Sequence, residues 1–216
     1  NASPKISVNG IYNLSEIKKY NILKIKCGFR NLYNEIELIE SIVDKYGNSI
    51  KLIIDLNESY DLVKAIRFFK EVAKYNIEYI EQPIKQDNIE DLLELSFHTD
   101  IPIALDEAIK NIDSIENLLK LNCGDIFIIK PQTFGSFLDI NQAFKIIEEA
   151  NKIPVMTSSL EGIIGRLSTM HIASANLINT ACGLGFDTIY KDEQKYIPNV
   201  IESKVEIPDT IGLGYK

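Results

Sequence analysis

Short apolar runs recur along this chain about 25 residues apart, and each of them carries a charged residue at or near its end. The runs are ILKIKCG (Ile22 to Gly28), KLIIDLN (Lys51 to Asn57), YIEQP (Tyr79 to Pro83), PIALDE (Pro102 to Glu107) and IFIIKP (Ile126 to Pro131). Each is short, rich in Ile, Leu and Val, and followed by a segment with helical apolar spacing, which is the pattern of a buried strand followed by a helix. Such alternation from end to end, without repeats, low-complexity tracts or a Gly/Ser/Pro linker, predicts a parallel α/β fold.

Parity assigns the charges to faces, because side chains alternate across a strand. Lys24 and Lys26 share one face while Leu23, Ile25 and Cys27 take the other. Asp55 and Asn57 oppose Ile54 and Leu56, and Asp106 opposes Ile103 and Leu105. An isolated buried charge costs several kcal/mol or more, so five strands are not expected to bear one each independently. A common site resolves this: Lys24, Lys26, Asp55, Glu81, Asp106 and Lys130 gather at one end of a closed parallel sheet, as the carboxyl ends of barrel strands do.

At 216 residues the chain has material for one large domain, near the lower limit for an eight-stranded barrel with its helices. Its 45% hydrophobic and 25% charged content is that of a globular protein, and no apolar stretch reaches the roughly 20 residues that span a bilayer. The expectation is a soluble chain. A net charge of −8 argues against nucleic acid and anionic membrane as partners, and leaves room for a small bound anion. Three cysteines, Cys27, Cys123 and Cys182, show no paired spacing and read as buried free thiols in a reducing cytoplasm. Residues 1–3 read as a remnant of expression, and the chain as a piece of a longer protein.

Along the chain, a first strand is expected over Lys5 to Tyr12 and a short helix around Leu14 to Tyr20. Later helices are expected over Asn34 to Tyr46, Tyr60 to Tyr75, Ile89 to Phe97, Ile112 to Leu121 and Leu138 to Asn151. Ser59, Asn88, Asn111 and Ser136 are the candidate N-caps. A seventh strand fits Pro154 to Ser159, a helix Ile163 to Leu177, and a weak eighth strand Asn179 to Gly183. The turn-rich tail after Phe186 carries no assigned element.

Asp55, Glu81 and Asp106 would supply hard oxygen ligands without thiols or imidazoles nearby, which suits Mg²⁺ and not Zn²⁺. Lysines flanking such a cation, out of bulk water, would have lowered pKa values, and a neutral lysine is a general base. The metal would stabilise the negative charge formed when a proton is removed next to a carboxylate.

The ordered set K-x-K, D-x-N, E-Q-P, D-E and K-P on successive strands resembles an enolase-superfamily barrel of the muconate-lactonising subgroup. Within it, IIKPQTFGSF (Ile128 to Phe137), MTSSLEG (Met156 to Gly162) and GLGFDT (Gly183 to Thr188) most resemble the o-succinylbenzoate synthases of menaquinone biosynthesis. The resemblance covers nearly the whole chain and implies a TIM-type (β/α)7β barrel over residues 4–186, without the family's N-terminal α+β cap domain. Residues 187–216 would be an extension packing on the barrel or on a missing cap.

The resemblance further implies that Asp55, Glu81 and Asp106 bind Mg²⁺, with Mn²⁺ as a substitute, and that Lys26 abstracts the α-proton. Lys130 would stabilise the enediolate, and Lys24 would support the substrate carboxylate or Lys26. Ser158, Ser159, Gly135, Asn57 and Gly183 would be substrate-side positions. The implied reaction is a carbon–oxygen lyase step, elimination of water from a cyclohexadiene carboxylate. A small carboxylate substrate is the implied partner, and a homo-oligomer is compatible with it. The sequence departs from some relatives at Ile53, where they carry an arginine.

Plainer readings stand beside these. A lone charge closing a strand is usually solvated, and Ser158-Ser159 alone is a turn. Glu107 and Glu161 read equally as partners of lysine or metal and as surface groups. His98 and His171 end no strand, which disfavours a histidine base. A racemase or epimerase acting on N-acyl amino acids or dipeptides would use the same site, with Lys26 and Lys130 as opposed bases; Gly183-Leu184-Gly185 stands where dipeptide epimerases carry Asp-x-Asp. A Schiff-base aldolase barrel and a cap-dependent or inactive barrel fragment are the readings of another class.

Overall fold

The computed structural model describes residues 4–186 and 191–214. Its strands in chain order are β1 (Lys5–Ser7), β2 (Gly10–Ile11), β3 (Ile22–Lys26), β4 (Lys51–Asp55), β5 (Ile77–Glu81), β6 (Ile103–Leu105), β7 (Ile126–Ile129), β8 (Ile153–Met156), β9 (Val200–Ile201) and β10 (Lys204–Glu206). Its α-helices are α1 (Leu32–Tyr46), α2 (Leu62–Val72), α3 (Ile89–Ser96), α4 (Ile112–Lys120), α5 (Pro131–Phe134), α6 (Phe137–Glu149) and α7 (Ile163–Ala175). From β3 to α7, strands and helices alternate, with α5 and α6 both between β7 and β8. The chain divides into two compact units, Leu23–Phe127 and the pair of segments Asn1–Ile22 and Ile128–Lys216.

In the Leu23–Phe127 unit, β4 pairs in parallel with β5, β5 with β6 and β6 with β7, and Asp55 stands opposite Glu81 in register. The Cys27 amide donates to the Asp55 carbonyl at 2.9 Å, so the end of β3 lies beside the end of β4. The strands are buried on both faces, as parallel strands covered by helices are: Leu52, Ile53, Ile54, Asp55 and Leu56 are all fully buried. Each helix covers them with one apolar stripe, which is Ile39, Ile42 and Val43 on α1 and Ala65, Phe68, Phe69 and Val72 on α2. Fully burying a side chain such as Phe68 is worth about 1.5–3 kcal/mol, so these stripes hold the helices on the sheet.

In the other unit, the Thr157 amide donates to the Ile129 carbonyl, Thr157 bridges to Gly183, and Val8 bridges to Cys182. A separate antiparallel sheet runs β1-β10-β9. Beneath its edge, Ser203 Oγ accepts from the amides of Asn21 and Ile22.

Several expectations are corrected. The first strand is two strands, because Val8 turns its amide to Ser203 and Asn9 turns its own to Cys182. The helix over Leu14 to Tyr20 is a 3-10 turn at Ile17–Lys19. Asp61, not Ser59, caps α2, since its carboxylate accepts from the Lys64 amide at 2.8 Å. Asn88 occupies its cap position but bonds Asp91 instead of a helix amide. Asn111 and Ser136 cap as expected, each within a capping box. The eighth strand is reduced to the bridges at Cys182 and Gly183. The tail carries a 3-10 helix, Lys191–Tyr196, as well as β9 and β10. Residues 1–3, and Asp187 and Thr188 of the quoted motif, lie outside the described residues. Among those described, no helix is long and apolar enough to cross a membrane.

Candidate active site

The strand parity read from the sequence holds in the Leu23–Phe127 unit. Leu23, Ile25 and Cys27 are buried, while Lys24 and Lys26 take the opposite face. Two carboxylates meet these lysines at the ends of the next two strands. Lys24 Nζ lies 2.7 Å from each oxygen of Glu81 and 2.9 Å from Asp55 Oδ2. Lys26 Nζ lies 2.6 Å from Asp55 Oδ2 and 2.7 Å from Asn57 Oδ1. The Asp55 and Glu81 side chains are 1% and 0% exposed, whereas that of Lys26 is 50% exposed, so the carboxylates are closed in while the Lys26 side chain is half in solvent.

Electrostatics follow from this count of charges. Burial pulls the Lys24 ammonium down, but Glu81 and Asp55 outweigh it and hold Lys24 well above the usual lysine range. The charges nearest Lys24 in the cation-free chain are negative, whereas the lowered lysine pKa expected from the sequence belongs to a site with a cation beside it. Burial raises Asp55 as well, yet Lys24 and Lys26 bring it down to about 2. Glu81 moves the other way: burial, with repulsion from Asp55 and Asp106, exceeds the pull of Lys24 and lifts it to about 8. Asp106 is buried at the end of β6, and Glu107 beside it accepts from Asn57 Nδ2 at 3.0 Å, forming a chain Lys26–Asn57–Glu107. Burial raises the Glu107 carboxyl too. Among the described residues, no three His, Cys, Asp or Glu side chains are gathered to grip one metal ion as they are placed.

Glu35, a residue the sequence reading passed over, is fully buried at the start of α1. Its Oε1 accepts from the amides of Gly28 and Arg30 at 2.9 and 2.8 Å, which fixes the turn immediately after Lys26. Gly28 has φ +100°, and a Cβ there would collide with Ser59 Oγ, so this turn admits glycine alone without rearrangement. An acid in a helix first turn was the only sequence signal for Glu35, and it is a common one.

The remaining candidates belong to the other unit. Lys130, half-buried, precedes Pro131 at the start of α5. Gly135 ends that helix with φ +145°. The Ser158 amide donates to the Gly183 carbonyl at 2.9 Å, while the Ser158 hydroxyl and the Ser159 amide donate to Glu161 Oε2 at 3.1 and 2.6 Å. Glu161 thus shapes the Ser158-Ser159 turn. Arg166, buried on α7, donates to the carbonyls of Glu161, Leu184 and Gly185. His98 pairs with Glu94 on an exposed helix face and His171 is part-buried against the Leu213 carbonyl, in keeping with packing and surface roles.

The family described as "Enolase C-terminal domain-like" matches residues 13–216. The chain belongs to that family. It is 25% identical over 206 residues to muconate cycloisomerase 1 of Acinetobacter baylyi, covering 92% of this chain and 54% of the relative. It is 26% identical to the L-amino acid-D/L-Glu epimerase of Francisella philomiragia, over 91% of this chain and 56% of that enzyme. It is also 26% identical to the o-succinylbenzoate synthase of Thermobifida fusca, over 70% and 46%. The enolase-type chain therefore spans about half the length of the curated relatives it matches. The solved muconate lactonizing enzyme from Pseudomonas putida superposes with a TM-score of 0.88 at 24% identity, over 98% of this chain and 63% of that one. The fold class is accordingly the TIM-type β/α barrel of the enolase superfamily.

Proposed function

We propose that this enolase-superfamily chain is the barrel part of a Mg²⁺-dependent enzyme that removes the proton α to a carboxylate and eliminates water, acting as an o-succinylbenzoate synthase. The observation that carries this reading is the pair of lysines on one face of β3 closing on the two buried carboxylates at the ends of β4 and β5.

A divalent cation suits the donor set. Asp55, Glu81 and Asp106 offer oxygen alone, and as three carboxylates against the ammonium groups of Lys24 and Lys26 they leave negative charge in excess. Burial first, and then repulsion from Asp55 and Asp106, keeps the proton on Glu81 up to about pH 8. Asp55, Glu81 and Asp106 would hold Mg²⁺, which when bound stabilises negative charge on the substrate carboxylate.

The lysines divide the remaining work by exposure. Lys26, the half-exposed one, is held by Asp55 and Asn57 with its Nζ open to a substrate and takes the α-proton. Lys24, nearly enclosed and firmly charged, keeps Asp55 and Glu81 in place in the cation-free chain and supplies a positive charge beside the substrate carboxylate. Lys130 keeps the role that its K-P position implies, stabilising the enediolate. Asn57, Ser158, Ser159, Gly135 and Gly183 are assigned to the substrate side, and a cytoplasmic setting accords with three buried free cysteines.

Racemisation of N-acyl amino acids is the second reading, favoured by similar identity to relatives named as racemase and epimerases. Turnover in D₂O separates the two. Formation of succinylbenzoate from the cyclohexadiene carboxylate supports the synthase; α-deuterium in recovered N-succinyl amino acid without any dehydration product replaces it with the racemase.

A further inference from the structure

Gln82 follows Glu81 directly and is fully buried, with a backbone φ of +36° that a side chain other than glycine rarely adopts. Its side chain spends every hydrogen bond on main chain. Oε1 accepts from the amides of Asp106 and Ala108 at 2.9 and 3.3 Å, and Nε2 donates to the Ile84 carbonyl at 3.0 Å. Its own amide donates to the Ala104 carbonyl at 2.8 Å, and its carbonyl accepts from Glu58 at 2.8 Å. One residue thus ties together the ends of β4 and β5, at Asp55 and Glu81, and the residue just past β6, Asp106.

The bonds to Asp106 and Ala108 matter most. Past Leu105 the β6–β7 ladder has stopped, so the sheet no longer dictates where the Asp106 backbone goes. The Gln82 carbonyl oxygen takes over that role by gripping the amide of Asp106 itself and the amide two residues on. Groups that orient ligands in this way control affinity as strongly as many ligands do.

We infer that Gln82 is a positioning residue that sets the divalent-cation affinity of this site by fixing the backbone of Asp106 relative to Glu81. This rests on the reading of Asp55, Glu81 and Asp106 as the cation's ligands. It assigns Gln82 no contact with cation or substrate.

Calorimetric titration of the chain with MgCl₂ tests the inference, with thermal unfolding in EDTA measured alongside. Q82M keeps the volume and loses the acceptor, and is expected to weaken Mg²⁺ binding about 10- to 100-fold while the cation-free chain still unfolds cooperatively. Q82E keeps an acceptor for both amides and is expected to bind within about three-fold of the unsubstituted chain, or tighter. D55N, as the control, is expected to abolish binding. Unchanged affinity in Q82M alongside lost binding in D55N overturns the positioning role and leaves the ligand reading standing. No difference between D55N and the unsubstituted chain overturns the ligand reading, and the inference with it. Should Q82M fail to fold, Q82E decides: a folded Q82E that binds Mg²⁺ ten-fold more weakly contradicts the role given to the acceptor.

Discussion

The ammonium group of Lys24 is 2.7 Å from both carboxylate oxygens of Glu81, and the Glu81 side chain has no exposure to water. Removing one member of such a pair leaves an uncompensated charge, which costs about 3–5 kcal/mol, more than the pair itself contributes. K24M is therefore expected to lower the urea unfolding free energy by up to about that amount at pH 9, above the titration of Glu81, and by less at pH 7, where Glu81 holds its proton. K24M/E81Q should recover a large part of the loss, because no charge is then stranded at Glu81; equal loss in the single and double variants would disprove the pairing.

The pH dependence of the cation-free chain carries the sign of two opposite shifts. Glu81 is lifted to about 8, so the folded chain holds a proton that the unfolded chain has already released, and stability falls as pH rises from about 4.5 to 8. Asp55 is depressed to about 2, so its contribution is present above pH 4 and disappears as pH drops toward 2. Urea midpoints in EDTA should fall between pH 5 and 8 in the unsubstituted chain and stay flatter in E81Q. A steeper fall in E81Q contradicts the shift assigned to Glu81.

Much of this site was legible because charges inside apolar runs are rare enough to be informative, and parity alone put Lys24 and Lys26 on one face away from Leu23, Ile25 and Cys27. What escaped were groups whose partners are backbone atoms of loops. Glu35 and Gln82 read as an ordinary helix acid and part of a motif, since nothing in their spacing says which amides they meet. Ser59 was mistaken for a cap because Ser and Asp are equally good caps and only loop geometry chose Asp61. The strands β9 and β10 are two and three residues long, too short to show a period. The sequence shows which charges gather, but not that Lys24 lies between two carboxylates that hold it charged in the cation-free chain.

Glu35 should matter for stability before it matters for catalysis. E35A strips the part-buried amides of Gly28 and Arg30 of their acceptor, and an orphaned group costs about 1–3 kcal/mol when fully buried. The expected loss in urea unfolding is about 1–3 kcal/mol, with E35Q losing less because its amide oxygen still accepts. Equal loss in the two variants would show that the amide bonds are not the cause.

Lys26 and Asn57 should separate by kinetics. K26A removes the proposed base and is expected to lower kcat by about 10²- to 10⁴-fold with its fold intact by circular dichroism. N57L keeps the base but removes its 2.7 Å acceptor, and should lower kcat more than it raises KM. A purely KM effect in N57L would confine Asn57 to its substrate-side role and remove it from the support of Lys26.

Anomalous diffraction from crystals of the chain equilibrated with saturating Mn²⁺ tests the central claim most directly. The account predicts one strong peak within about 2.5 Å of oxygens from Asp55, Glu81 and Asp106, with Lys24 Nζ displaced from Glu81. Crystals carrying no peak at these three carboxylates, with Lys24 still bridging Asp55 and Glu81, would contradict it.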